Sequence, residues 1–372
     1  MKNPYFANDS AVLEQPLAHR PEWPRREVVA SHRPSGSLPF LDNLGELLGV
    51  NDVAALQDIL DRALFGPVAE ATAHPGKRIR AQLVSLCYQL VNTASPSVAQ
   101  DAAYCRRAAE VVEVIHLGSL IVDDIEDGSL VRRGHPALHV RHGVPLALNA
   151  GNWLYFWSAD LIRRLDLPES AKLLVYELYH RTMSRAHLGQ AADLGCRANT
   201  LAQSAVAPAC LGTVELKTGA LMGFAAALGG AAAAAPVRMV RLLDEFGKRL
   251  GVALQMFDDM GNVIGRCEPA KRCEDLLMKR LCWVWACAAT LSPAKEYQAF
   301  VAAVQALPES AALNDWMTRY ELIPYVRQSA RGHLDAAFRF LEAGLKDAPQ
   351  AWSKPALEQL RHLGEEIAVA YD

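Results

Sequence analysis

An excess of basic charge is the first thing this sequence lacks. Across 372 residues, 38 lysines and arginines meet 41 aspartates and glutamates, for a formal net charge of −3. A general nucleic-acid surface needs a basic stripe, and only short arginine pairs occur, so no nucleic-acid partner is expected. No CxxC pair occurs among the eight cysteines (Cys87, Cys105, Cys196, Cys210, Cys267, Cys273, Cys282 and Cys287), which argues against a structural zinc site. No secretory segment is expected either, since the first residues are polar and proline-rich rather than apolar. The cysteines are therefore expected to be reduced thiols in a cytoplasmic protein. Long hydrophobic runs are scarce. Thr218 to Val237 carries no charge and approaches the length of a membrane span. It is mostly Ala and Gly, however, and reads as a closely packed core helix, so no transmembrane segment is expected.

Strand alternation between hairpin turns is absent, as is any repeat at solenoid spacing. The chain has instead 51% apolar and 21% charged residues, enough to bury a large core. Residues 1–38 hold Pro4, Pro16, Pro21, Pro24 and Pro34 among many charges, and are expected to form an extended or disordered arm. From about Leu41 the pattern turns helical, so residues 39–372 read as an all-α domain. Helices are predicted over 51–65, 76–94, 99–127, 144–164, 168–196, 203–229, 235–264, 279–290, 294–306, 316–344 and 354–369.

Two acidic motifs each end an apolar helix. One is Asp123-Asp124-Ile125-Glu126-Asp127, the other Asp258-Asp259-Met260-Gly261-Asn262. Carboxylates at a helix C-terminus oppose the macrodipole, and like charges four apart repel. A chain that accepts both costs twice is expected to bring cations there. At about 100° per residue, His116, Ser119, Asp123 and Asp127 share an arc of about 80°. Gly251, Gln255, Asp258 and Asn262 share about 60°. If the two helices face each other, the carboxylates converge on one cavity. Oxygen-only ligands suit magnesium, which keeps waters and bridges to substrate phosphates. Diphosphate would need positive partners, and Gly76-Lys77-Arg78-Ile79-Arg80, Arg132-Arg133-Gly134 and Lys217-Thr218 supply them.

In order along the chain, these blocks resemble the trans-polyprenyl diphosphate synthase family. The likeness is carried by Pro75-Gly76-Lys77-Arg78-Ile79-Arg80, by His116 through Asp127 followed by Arg132-Arg133-Gly134, by Gly189-Gln190-Ala191-Ala192-Asp193, by Lys217-Thr218, and by Leu250 through Asp259. The resemblance implies one large helical bundle around a deep central cavity, usually homodimeric. It also implies that isopentenyl diphosphate is condensed with an allylic prenyl diphosphate. By it, Lys77, Arg80, His116 and Arg133 hold the isopentenyl diphosphate. Arg132, Lys217 and Gln255 contact the allylic diphosphate or line its site, and Gln190 and Thr218 are substrate-binding residues as well. Asp123 and Asp127 hold two magnesium ions, with Asp124 nearby, and Asp258 holds a third. Ser119, one turn below Asp123, is small, as are Val112 and Ala109 deeper on the helix, so a product of C20 or longer is favoured.

The chain departs from the family pattern in three places. The opening pair of glycines is reduced to Gly76, preceded by Pro75. Asn262 stands where the second acidic motif ends in Asp. A family stretch reading DL..GK.T.P is matched by Asp275-Leu276-Leu277-Met278-Lys279-Arg280 without the Thr and Pro, and either Lys279 or Arg280 takes the lysine's place. Two alternatives stay open. A terpene synthase or cyclase on the same fold would ionise the allylic diphosphate without condensation, and Trp283-Val284-Trp285 could offer aromatic faces to a cation. A non-catalytic subunit of a heteromeric synthase would need no intact Asp123-Asp124 pair.

Overall fold

The computed structural model describes residues 54–74, 76–92, 98–266, 272–348 and 351–371. The expected arm, residues 1–38, lies outside them. The chain divides into two units, Met1–Arg62 and Ala63–Asp372. The described part of the first is helix α1 (Ala54–Leu60) with an exposed Arg62–Asp58 ion pair of 3.0 Å, the kind of surface pair that adds little stability.

A π turn, Asp61–Phe65, leads to α2 (Gly66–Thr72). There follow α3 (Ile79–Val91), α4 (Val98–Glu126), a two-stranded ladder of β1 (Val131–Arg132) and β2 (His135–Pro136), α5 (Leu138–His142), α6 (Val144–Arg163) and α7 (Glu169–Gly195). Next come α8 (Gln203–Val214), a second π turn (Glu215–Gly219), α9 (Ala220–Ala232), α10 (Val237–Ile264) and α11 (Glu274–Leu277). The last are α12 (Trp283–Leu291), α13 (Ala294–Gln305), α14 (Ala311–Arg319), α15 (Leu322–Lys346) and α16 (Lys354–Val369). The all-α expectation holds. The short ladder and the four- and five-residue helices were not anticipated, because elements of that length are too short to show a period.

Local chemistry sets the ends of the helices that matter most. Helix α4 stops at Gly128, which has φ +64°, and α10 at Gly265, which has φ +74°. These left-handed positions suit glycine and end a helix cleanly. Helix α16 starts at Ser353, whose Oγ accepts from the Ala356 N–H at 3.3 Å.

The Ala/Gly-rich stretch lies at the centre. Every residue from Ala220 to Ala231 in α9 is buried, and α9 packs against α10, α3, α7 and α4. Small side chains let the backbones close up. A Cβ built at Gly229 would fall 2.3 Å from the Val84 carbonyl of α3. The stretch is therefore a core helix, and among the described residues no helix is long and apolar enough to cross a membrane. Helices α4 and α10, which carry the acidic motifs, both pack on α9.

Candidate active site

Adjacent residues on a helix point about 100° apart, so the two members of a double aspartate cannot share a direction. At the end of α4, Asp124 turns inward and is 3% exposed. Its Oδ1 accepts from Arg132 Nε at 2.9 Å and also from Arg132 Nη2. Asp123 faces the site. Its Oδ1 accepts from Gln190 Nε2 at 2.7 Å and from Lys217 Nζ at 3.1 Å. Gln190 Nε2 donates as well to Glu126 at 2.7 Å, and Lys217 Nζ to Asp193 at 3.0 Å. Asp127, one turn on from Asp123, pairs with Arg280.

The π turn places Lys217. Such turns shift a helix by one residue and recur at functional sites. The approach needs Gly189 on α7, where a Cβ would lie 2.7 Å from the Lys217 backbone nitrogen. Burial pushes the Lys217 ammonium pKa down, but Asp123 and Asp193 more than offset it and the net shift is upward. Arg280 behaves likewise: burial lowers its pKa, and Asp127, Asp275 and Asp193 raise it further.

The second pair splits in the same way. Asp258 is exposed, and its Oδ1 accepts from the Tyr371 hydroxyl at 2.8 Å. Asp259 is 5% exposed and accepts from Gln255 Nε2 at 2.9 Å and from the Trp283 N–H at 2.5 Å. Burial drives the Asp259 carboxyl well above the usual carboxylate range. Thr218 donates to Gln255 Oε1 at 2.8 Å, which aims the Gln255 amide nitrogen at the carboxylates. Asn262 serves the loop. Its Oδ1 lies 3.4 Å from the Asp275 N–H, and its carbonyl accepts from the Cys273 N–H at 3.1 Å. Asp275 is pushed up to about 6 by burial, with Arg280 pulling the other way.

The structure also separates Lys279 from Arg280. Lys279 has φ +56°, a left-handed conformation that costs an L-residue about 1–2 kcal/mol. Glycine would sit there without that cost, and the family pattern has glycine at this place when the stretch is read without a gap. Arg280 then falls on the lysine position, and it is Arg280 that reaches Asp127. Lys279→Gly is expected to leave that ion pair intact. It should raise stability by about 0.5–1 kcal/mol, the strain relief less the entropy that glycine adds to the unfolded chain. Urea unfolding measures this, and a destabilised variant would refute the strain.

The basic groups gather at the start of α3 and beside α4. Arg80 Nη1 donates to His116 Nε2 at 3.2 Å. Burial, then Arg80, Arg133 and Arg132, hold the His116 pKa well below its usual value, so the ring is neutral and can accept. Burial also lowers the Arg80 pKa to about 10, and its Nε is buried without a hydrogen-bond partner. Arg133 and Gly134 form a two-residue hairpin loop, with φ +53° and +76°. Paired positive φ values fit a type I′ turn. The turn sends Arg132 to Asp124 and Arg133 Nη1 to the His74 carbonyl at 2.6 Å. Lys77 Nζ stands 4.5 Å above the Tyr371 ring. Ser119 is half-buried, with its Oγ donating to the His116 carbonyl at 2.8 Å.

The expected residues thus fall into linked groups, with Asp124 turned inward onto Arg132 and Lys279 tied to Leu276 and Ala198 through its backbone. Three neighbours carried no role in the sequence reading. Asp193 ends the Gly189–Asp193 run. Asp275 lay in the altered stretch. Tyr371, 113 residues from Asp258, had no local signal. The tryptophans do not present free faces. Trp285 is fully buried, donates to the Tyr297 hydroxyl at 2.8 Å and packs edge-on against Phe300. Trp283 packs edge-on against His333.

Among the described residues no three acidic, histidine or cysteine side chains form a ready cage. The site-facing donors Asp123, Asp127 and Asp258 are all oxygen ligands set apart on two helices. That arrangement fits magnesium, which dehydrates reluctantly and shares its shell with substrate phosphates.

Known proteins bear on this geometry. Geranylgeranyl diphosphate synthase of Sulfolobus acidocaldarius is 31% identical over 219 residues, 56% of this chain and 63% of that protein. A bifunctional sesterterpene synthase of Talaromyces wortmannii is 28% identical over 225 residues, 59% of this chain and 28% of that protein. The chain therefore spans less than two thirds of the length of either. The crystal structure of geranylgeranyl pyrophosphate synthetase from Pyrococcus horikoshii has the same fold, with a TM-score of 0.70 at 23% identity over 84% of this chain and 94% of that one. The polyprenyl synthetase family model matches residues 61–317, a span that takes in both acidic helix ends, the hairpin arginines and the π-turn lysine. By that match and by its helical architecture, this chain belongs to the polyprenyl synthetase family.

Proposed function

We propose that the chain is a magnesium-dependent prenyltransferase that condenses isopentenyl diphosphate with an allylic prenyl diphosphate to give a C20 or longer product. The observation that carries this reading is the linkage of two acidic helix ends to two separate cationic groups. One group, Lys217 and Arg280, lies against Asp123 and Asp127. The other, the cations Lys77, Arg80 and Arg133 with the neutral His116 ring among them, gathers where α3 begins. Two diphosphates need two such groups.

Asp123 and Asp127 would hold two magnesium ions and Asp258 a third. When bound, the ions stabilise negative charge on the departing diphosphate. Lys217 and Arg280, freed from carboxylates, would turn to the allylic diphosphate, and Arg132 is held beside it by Asp124. Arg80, with an unpartnered Nε, and Arg133 would grip the second diphosphate, while neutral His116 orients Arg80. The apolar interior would keep water from the allylic cation. Ser119 below Asp123 leaves room for a growing tail.

Incubation with C10, C15 and C20 allylic diphosphates, each with and without isopentenyl diphosphate, tests the reading. Longer diphosphates should appear only when both are present. Hydrocarbons or alcohols from one allylic diphosphate alone would move the assignment to a terpene synthase. The burial of Trp283 and Trp285 favours condensation over that alternative, and the pairing of Asp123 with Lys217 and Gln190 weighs against a non-catalytic subunit. We place the protein in the cytoplasm, in keeping with its thiols, and read it as a homodimer. Phe156 is 76% exposed on α6, and Leu173 and Leu188 are 72% and 63% exposed on α7, apolar surface that a second copy would cover. A monomer by light scattering would refute the dimer.

A further inference from the structure

One side chain joins the two halves of the site. Tyr371 lies two residues beyond α16 and is 5% exposed. Helix α16 packs on both α3 and α10, and so carries Tyr371 to the place where the segment leading into α3 presents Lys77 and α10 presents Asp258. Its hydroxyl donates to Asp258 Oδ1 at 2.8 Å, and its ring faces the Lys77 ammonium at 4.5 Å. Arg80 stands close enough for both Asp258 and Tyr371 to act on its charge.

Each contact occupies a group that the proposed reaction needs elsewhere. A phenol hydrogen bond uses a carboxylate lone pair that a cation would take. A ring face competes with phosphate for the ammonium. We propose that Tyr371 is a positioning residue that holds Asp258 and Lys77 before substrate binds and releases both as metal and diphosphate arrive. The inference rests on the function proposed above. Because a single side chain makes both contacts, displacement at one end loosens the other. Diphosphate at Lys77 therefore strengthens metal binding at Asp258, and by linkage the metal strengthens diphosphate binding by the same factor.

The test is calorimetric titration of Mg2+ into the full chain with methylenediphosphonate present, on wild type, Tyr371→Phe and Tyr371→Ala. The phenylalanine variant keeps the ring and loses the hydroxyl. Its Mg2+ Kd is expected to fall about 5-fold, the ratio set by loss of one competing hydrogen bond, with its melting temperature lowered by no more than about 2–4 °C for the same lost bond. The alanine variant should also bind methylenediphosphonate alone more tightly. A Tyr371→Phe Kd equal to or above that of wild type overturns the role of Tyr371 and leaves the proposed function standing. A wild-type chain that binds no Mg2+ with methylenediphosphonate overturns both.

Discussion

Asp123→Ala is expected to lower turnover by about 10²- to 10³-fold, or about 3–4 kcal/mol in the barrier, with the unfolding curve almost unchanged. The kinetic part follows from position. Asp123 is the α4 carboxylate that faces the site, and it is set between Gln190 and Lys217. In the proposed function, its loss would remove an oxygen ligand where charge must be neutralised as diphosphate departs. The stability part follows from redundancy. Gln190 keeps its bond to Glu126 and Lys217 its bond to Asp193, so no donor is stranded. Steady-state kinetics and urea unfolding on one preparation separate the two effects. A loss below tenfold would falsify the assignment of Asp123 as a ligand.

The neighbouring substitution should do the opposite. Asp124→Ala is expected to cost about 3 kcal/mol of stability. Asp124 is 3% exposed and holds two nitrogens of Arg132. Breaking a buried pair by removing one partner costs about 3–5 kcal/mol. The lower end applies because the Arg132 side chain is 32% exposed and can rehydrate. Arg132 also leads into the hairpin that positions Arg133, so catalysis falls too, but through displacement of the arginines. Asp124→Asn, which keeps an acceptor oxygen, should recover part of the stability. If Asp124→Ala unfolds within 1 kcal/mol of wild type, the anchoring role is wrong.

Together these substitutions explain how the chain tolerates clustered carboxylates at helix ends. Each site-facing carboxylate has an internal donor: Lys217 for Asp123, Arg280 for Asp127 and Tyr371 for Asp258. The sequence argued only that cations must come to these helix ends. The folded chain supplies two of its own, and the diphosphate arriving with its metal would exchange places with them.

The sequence by itself determined the fold class, because helical periodicity is a local property repeated over hundreds of residues. It determined the acidic helix ends and the stripes Asp123–Asp127 and Asp258–Asn262, because residues three and four apart must share a face. It also predicted that the Ala/Gly run is core, since small residues permit the close backbone approach seen at Gly229. The tertiary structure supplied the physical reason that Asp123 and Asp258, the members named by the resemblance, face the site while Asp124 and Asp259 turn inward. A helix fixes the 100° between neighbours but not its own rotation, which packing of α4 and α10 on α9 supplies. Tertiary structure likewise chose Arg280 over Lys279, through a backbone turn that no hydrophobic period records. It alone brought Tyr371 to Lys77 and Asp258, a contact between distant segments that depends on where α16 docks and has no trace in local spacing.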